Sequence, residues 1–169
     1  LAPLADSDGR HWISVARADL AALYFTTCIR GVAWRLEDLT AKSPPTRRSD
    51  YSEAIKLAPG DVSVETMLTD LAAAVDAKDL ALQVQARTAR ARVTAFSARC
   101  PATPDVQQLS EGILKNDLAT LAAENHLTPD LAFLWAGVQM SEFSGAAARP
   151  FLLQAKDGGY TDPSVIYML

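Results

Sequence analysis

Several residues and patterns that carry familiar protein chemistry are scarce in this sequence of 169 residues. It has only two cysteines and two histidines, and no apolar run approaches the roughly 18 residues that a membrane-spanning helix needs. Acidic residues outnumber basic ones by 20 to 16, so no excess of positive charge is present to hold nucleic acid or an anionic membrane. We therefore expect no transmembrane segment and no nucleic-acid partner.

The short motifs of common catalytic and metal sites are also missing. There is no HExxH, no GxSxG, no glycine-rich phosphate loop and no Cys/His spacing typical of zinc. His11 lies near the N-terminus and His126 in a predicted loop, where it favours the end of a helix rather than catalysis. Residues 6–9 begin like a calcium loop, but Arg17 stands where the closing glutamate belongs. The sequence therefore predicts a protein that is not an enzyme and holds no cofactor or metal.

The two cysteines, Cys28 and Cys100, lie far apart and form no CxxC pair. In an exported protein they would pair with each other, and closing so long a loop would stabilise the fold by roughly 4 kcal/mol. In a reducing compartment they would be buried free thiols. The chain starts with Leu1-Ala2-Pro3 and then a polar stretch, as it would after removal of a leader peptide. We expect a periplasmic or secreted location, with the cytoplasm as the alternative.

Apolar residues recur at gaps of three and four along most of the chain, which predicts helices. No segment shows the sustained alternation of a strand. The sequence predicts an irregular arm at 1–13 and one all-α domain at 14–169. In that domain about six or seven helices form antiparallel hairpins, stacked as a short solenoid or as an irregular bundle. The predicted helices cover 14–39, 51–57, a stretch ending at 75, 79–99, 105–124, 130–143, 145–157 and a segment from Pro163.

Three segments share a helix-start pattern of hydroxyl, proline and carboxylate. They are 103–105, 128–130 and, as a variant, 161–163. In this pattern the hydroxyl caps the helix, proline takes the first helical position and the carboxylate faces the positive end of the helix dipole. Pro129 and Pro163 lie 34 residues apart, which is near the period of a helix–turn–helix solenoid unit.

Residues 130–169 resemble a tetratricopeptide or Sel1-type repeat. The residues that carry the resemblance are the small Ala136, Ala148 and Ala155, the large Leu152, the bulky Leu134 and Trp135, and the terminal Pro163. Gln139 stands where an aromatic residue is usual, and two residues are inserted around 158–159. Extended over about 105–169, the resemblance implies stacked helical hairpins that bind a protein or peptide.

These observations lead to one main functional interpretation and one alternative. The main interpretation is a non-catalytic adaptor whose groove binds a protein or peptide. Its candidate contact residues are Gln139, Glu142, Arg149 and Tyr160. The alternative is a carrier that holds a lipid or another apolar small molecule between its helices. For that carrier, aromatic residues that include Tyr24, Trp34 and Trp135 would line an apolar cavity.

The remaining charged residues are predicted to lie on solvated helix faces. Arg87, Arg90 and Arg92 form the one basic concentration, and Arg87 and Arg90 share a face because they are three residues apart. Contact with an acidic partner or with lipid headgroups is the alternative for these arginines. Asp117 is also expected on an exposed helix face.

Overall fold

The structure, a computed structural model, describes residues 9–22, 64–99, 104–162 and 164–169. Every regular element in these ranges is an α-helix, and none is a strand, so the all-α prediction is confirmed. Tyr24, Cys28, Trp34 and Cys100 lie outside the described residues, and the predicted disulfide lies outside them too.

The helices are numbered here along the described chain. They are α1 (9–22), α2 (Val64–Val75), α3 (Leu80–Arg99), α4 (Pro104–Ala123), α5 (Pro129–Glu142), α6 (Gly145–Asp157) and α7 (Ser164–Met168). The bounds of α3 to α6 match the predicted ones to within a residue or two. The rest of the helix predicted at 14–39, and the one at 51–57, fall outside the described residues.

The predicted arm needs a correction, because residues 9–13 belong to α1. Val15, Ala18 and Ala22 are buried on one face of this helix, and His11 extends the same face by one turn towards the N-terminus. The apolar pattern therefore starts earlier than Ser14, but its first member is a half-buried histidine rather than a hydrophobic residue.

Polar side chains at the starts of three helices make local hydrogen bonds, and two of them cap their helix. Asp79 caps α3, since its Oδ1 accepts a hydrogen bond from the Ala81 N–H at 2.9 Å. Ser144 caps α6 in the same way, with Ala147 N–H as the donor. Thr128 holds the predicted cap position of α5 but makes no cap hydrogen bond, and its hydroxyl contacts Asp130 Oδ1 at 2.6 Å instead.

Three apolar clusters hold the described helices together. The first joins α1, α2 and α3, the second joins α3 to α6, and the third lies between α5 and α6 with Met168 of α7 against it. Alanine is frequent in all three clusters, so the helix backbones can approach closely. The buried members are Val15, Ala18, Ala22, Met67, Leu71, Ala74, Val75, Leu82, Ala86, Ala89, Val93 and Phe96 in the first; Ala91, Leu118, Leu121, Leu127, Leu131, Ala132 and Ala155 in the second; and Ala136, Ala148 and Leu152 in the third.

The most extensive helix pairs are α3 with α4 and α5 with α6. Helices α3 and α4 are antiparallel, because Ser97 bonds Ser110 at 2.6 Å near one end while Arg90 bonds Asp117 further along. Helix α5 contacts both members of the α3/α4 pair. The two similar helix starts therefore have different places in the fold: Pro104 opens the second helix of one pair, and Pro129 opens the first helix of the next.

Within the described ranges, no helix combines the length and apolar character needed to cross a membrane.

Candidate binding groove

Asp117 of α4 is fully buried and is held by two arginines of α3. Arg90 donates from Nε to Oδ2 and from Nη2 to Oδ1, both at 2.7 Å, while Arg87 donates from Nη1 to Oδ1 at 3.3 Å. The expectation of an exposed Asp117 is wrong, and so is that of a freely solvated face for the arginines. The cause is the register of α4, which places Asp117 beside the buried Leu118 and Leu121 on the face that meets α3.

This cluster fixes the position of the Arg90 guanidinium. A buried carboxylate without partners costs several kcal/mol, and the paired donors of Arg90 replace the water that it has lost. The two parallel hydrogen bonds define the plane of the guanidinium as well as its place. Two positive charges face one negative charge, so the cluster keeps a surplus of one positive charge.

An open groove of about 550 Å³ lies next to this fixed guanidinium. One face of α4 forms most of it, because its lining residues follow one another at helical spacings of three and four. From Asp105 to Asn116 this face is about 16 Å long. The lining residues are Arg90, Asp105, Gln108, Leu109, Gly112, Ile113 and Asn116.

The groove combines apolar, amide and charged surface. Leu109 is 58% exposed, and the half-buried Ile113 lies one turn further along. Between them, Gly112 leaves open space, since a Cβ atom built there meets nothing within 4 Å. Gln108 and Asn116 place amide groups at two levels of the groove. The arrangement offers hydrophobic contact and hydrogen bonds but no nucleophile or paired acid and base.

Arg92 of α3 forms a second ion cluster that joins three helices. It donates to Asp19 of α1 at 2.9 Å and to both carboxylate oxygens of Asp130 of α5, at 2.9 and 3.3 Å. Its Nη2 also lies 3.5 Å from the Thr128 hydroxyl. The expectation of a solvated Arg92 is therefore wrong too. The residue does point away from Arg87 and Arg90, as the helical spacing predicts.

The pKa values in this second cluster follow from burial and pairing together. Burial alone would raise the pKa of Asp130, but hydrogen bonds from Arg92 and Thr128 and the guanidinium charge outweigh it and lower that pKa below its ordinary value. Burial would lower the pKa of Arg92, and the hydrogen bonds and charges of Asp130 and Asp19 raise it instead. Both groups therefore stay charged over the whole neutral range.

The predicted contact residues that the structure describes lie on α5, on α6 and just after α6. Glu142 ends α5 and pairs with Lys115 of α4, and this hydrogen bond raises the pKa of Lys115. Tyr160 stacks on Phe133 near the start of α5, with ring centres 5.2 Å apart. Trp135, Gln139 and Glu142 follow one another on α5 at spacings of four and three, so they share one side of that helix. Gln139 is half-buried, Arg149 is exposed on α6, and the rings of Trp135 and Phe151 meet edge to face with their centres 6.3 Å apart.

Sequence reasoning missed the groove residues, although one signal for them was present. Leu109 and Ile113 are four residues apart and lie off the stripe of Leu114, Leu118 and Leu121 that faces the core. A second apolar strip on one helix, interrupted by Gly112, indicates a face that the other described helices do not cover.

Metal binding finds no support in the part of the chain that the structure describes, since no group of three or more His, Cys, Asp or Glu side chains there could hold an ion. His126 is exposed in the loop before α5.

Comparison of the chain with protein-family models, with curated proteins and with solved structures finds no match in any of the three. The repeat resemblance of residues 130–169 therefore stays a prediction, and function is inferred from the groove and its surroundings.

Proposed function

We propose that the protein is a non-catalytic binding protein, similar to tetratricopeptide repeats in its C-terminal part, which binds a peptide segment of another protein in the α4 groove. The observation that carries this proposal is the face of α4 on which exposed Leu109 and open Gly112 lie beside a guanidinium fixed by buried Asp117. Such a face offers a peptide an apolar contact and a rigid polar contact at the same time.

The stacking of the helices supports a binding role. Helix α5 packs against both helices of the α3/α4 pair, as the first helix of the next hairpin would in a solenoid. Solenoids built in this way expose long surfaces whose shape depends on the backbone rather than on one flexible loop. In such a solenoid the groove would lie on an extended surface, and peptide binding there would need little rearrangement.

The open form of the groove favours a peptide over an enclosed apolar ligand. Sites for small apolar molecules bury most of the ligand in a closed pocket. The α4 groove is open along its length, and four of its seven lining residues are charged or carry an amide. The lipid-carrier alternative involves Tyr24 and Trp34, which lie outside the described residues, so it stays a prediction.

The test is a selection of phage-displayed random heptapeptides on the purified chain, followed by affinity measurements on synthetic peptides. Gly112→Trp fills the groove from its own floor, and Gly137→Trp places the same side chain on exposed, open backbone of α5. We expect Gly112→Trp to weaken the selected peptides at least about tenfold, a change of about 1.4 kcal/mol. Gly137→Trp is the matched control and should leave affinity unchanged.

Circular dichroism and urea unfolding show whether both variants keep the fold. If the selected peptides bound the wild type and both variants equally, their binding site would lie outside the α4 groove. That result would overturn the proposal. A selection that enriches no peptide would also overturn it.

A further inference from the structure

We infer that the α4 groove selects a peptide that places an acidic side chain against Arg90 and an apolar side chain on Leu109 and Ile113. This inference rests on the proposed function and adds the chemistry of the partner. It follows from three features of the groove: the unused donor of Arg90, the unequal charge at its two ends, and the spacing of its apolar and amide side chains.

The first feature is the geometry of Arg90. Its contacts with Asp117 use Nε and Nη2, which leaves Nη1 outside the pair on a residue that lines the groove. Because Asp117 already holds the guanidinium in place, a second carboxylate would meet a donor that needs no further ordering. A free surface arginine would lose rotamer freedom on binding, and Arg90 has lost most of it in the folded chain.

The second feature is the distribution of charge. Arg87 and Arg90 share the single carboxylate of Asp117, so this end of the groove is short of one negative charge. At the other end Asp105 is exposed in the first turn of α4. A peptide with its acid at the Arg90 end satisfies the surplus charge, and the opposite orientation would set that acid against Asp105.

The third feature is spacing. Gln108 and Asn116 are eight residues apart on α4, which places them about 12 Å from each other. About four residues of an extended peptide span that distance. The main chain of such a peptide can both donate hydrogen bonds to, and accept them from, the side-chain amides of Gln108 and Asn116. Gly112, midway between them, lets the peptide backbone approach α4 closely, with Leu109 and Ile113 alongside for one apolar side chain.

The test compares acidic and amide forms of the same peptide. Heptapeptides selected on the wild-type chain are synthesised with their Asp or Glu residues intact and, separately, with Asn or Gln in those places. Fluorescence anisotropy then measures both forms on the wild-type chain at low and at moderate salt. We expect the acidic form to bind at least about tenfold more tightly, and the difference to shrink as salt rises.

A double variant, Arg90→Met with Asp117→Leu, removes the fixed guanidinium without leaving the carboxylate buried alone. On this variant the preference for the acidic form should fall, because the fixed donor is gone; Arg87 keeps one positive charge there, so the preference need not vanish. The wild-type comparison needs no variant, so it decides the matter even if the double variant does not fold. Peptides that lose affinity on Gly112→Trp but bind equally in acidic and amide form would overturn this inference and leave the proposed function intact. Peptides insensitive to Gly112→Trp would overturn the proposed function itself.

Discussion

The carboxylate of Asp117 is buried away from water, so hydrogen bonds from the protein must replace its hydration. Two arginines donate these hydrogen bonds, and their shares are unequal. Arg90 makes two contacts of 2.7 Å, whereas Arg87 makes one of 3.3 Å. Hydrogen bonds between charged groups weaken with length and poor alignment. Arg90 therefore offsets most of the free-energy cost of burying the Asp117 charge. The stability of the α3/α4 pair and the shape of the groove therefore depend on the same side chain.

This inequality predicts different losses for two similar substitutions. Arg90→Met should lower the free energy of unfolding by about 3 kcal/mol, because it leaves Asp117 buried with one weak partner. Arg87→Met should cost about 1 kcal/mol, because the bidentate pair survives it. Urea unfolding of both variants beside the wild type measures the difference. Equal losses would show that the two arginines share the carboxylate evenly, against the geometry seen here.

Between elements, the end of α6 packs directly on the start of α5. A Cβ atom at Gly158 would lie 2.4 Å from Cγ of Pro129, and Gln154 Nε2 donates to the Leu127 carbonyl at 3.0 Å. Gly158 has an ordinary backbone conformation, so its small size, rather than its flexibility, is what the contact needs. The hairpin α5/α6 is thereby closed at the end opposite its turn.

Two alanine substitutions should change the stability of the protein in opposite directions. Gly158→Ala should destabilise the protein by about 1–3 kcal/mol, since Pro129 must move to make room. Gly112→Ala should stabilise it by about 0.5–1 kcal/mol, because the site is open and alanine favours a helix interior. Thermal and urea unfolding of the two variants measures both changes. A neutral Gly158→Ala would mean that α5 and α6 are not in close contact there.

The start of α5 also shows how far element prediction reached. Pro129 and Asp130 lie in the first turn, as the hydroxyl–proline–carboxylate pattern predicts, but Thr128 does not cap the helix with its side chain. Arg92 accounts for the difference, because it engages Asp130 and comes within 3.5 Å of the Thr128 hydroxyl. Arg92 lies 36 positions from Thr128 along the chain, so a pattern of neighbouring residues cannot predict this contact.

At the scale of the whole molecule, Arg92 links the N-terminal helix to the C-terminal hairpin. Its guanidinium bridges Asp19 of α1 and Asp130 of α5 from its own position on α3. The three side chains are each about one third exposed, at 30% for Arg92 and 35% for both aspartates. Solvent screens such a network, so its contribution to stability is moderate although it spans the fold.

The contribution of this network to stability should depend on pH. The folded state lowers the pKa of Asp130, so its ionised form stabilises the fold above the unfolded pKa of about 3.9, and that stabilisation is lost as the pH falls through the lower folded pKa. Asp130→Asn should therefore reduce the free energy of unfolding by about 1 kcal/mol at pH 7. The difference in free energy of unfolding between this variant and the wild type should be constant down to about pH 5 and should become smaller below about pH 4.

Urea unfolding at a series of pH values measures this gap. Asp105→Asn serves as control, because Asp105 is also an aspartate in the first turn of a helix but is exposed. If the gap for Asp130→Asn were the same at pH 3 as at pH 7, Asp130 would not be held by the charge of Arg92.

Local sequence patterns were enough to predict the helical class and the ends of α3 to α6, because apolar spacing, proline and capping residues act within a few positions of one another. The roles of the charged residues, in contrast, depend on how the helices pack. Asp117, Arg90 and Arg92 look like surface residues in any local window, and they become buried or paired because α3 meets α4 in one register and α1 and α5 on its other sides. The groove depends on that same packing, because it lies on a face of α4 that the other described helices leave uncovered.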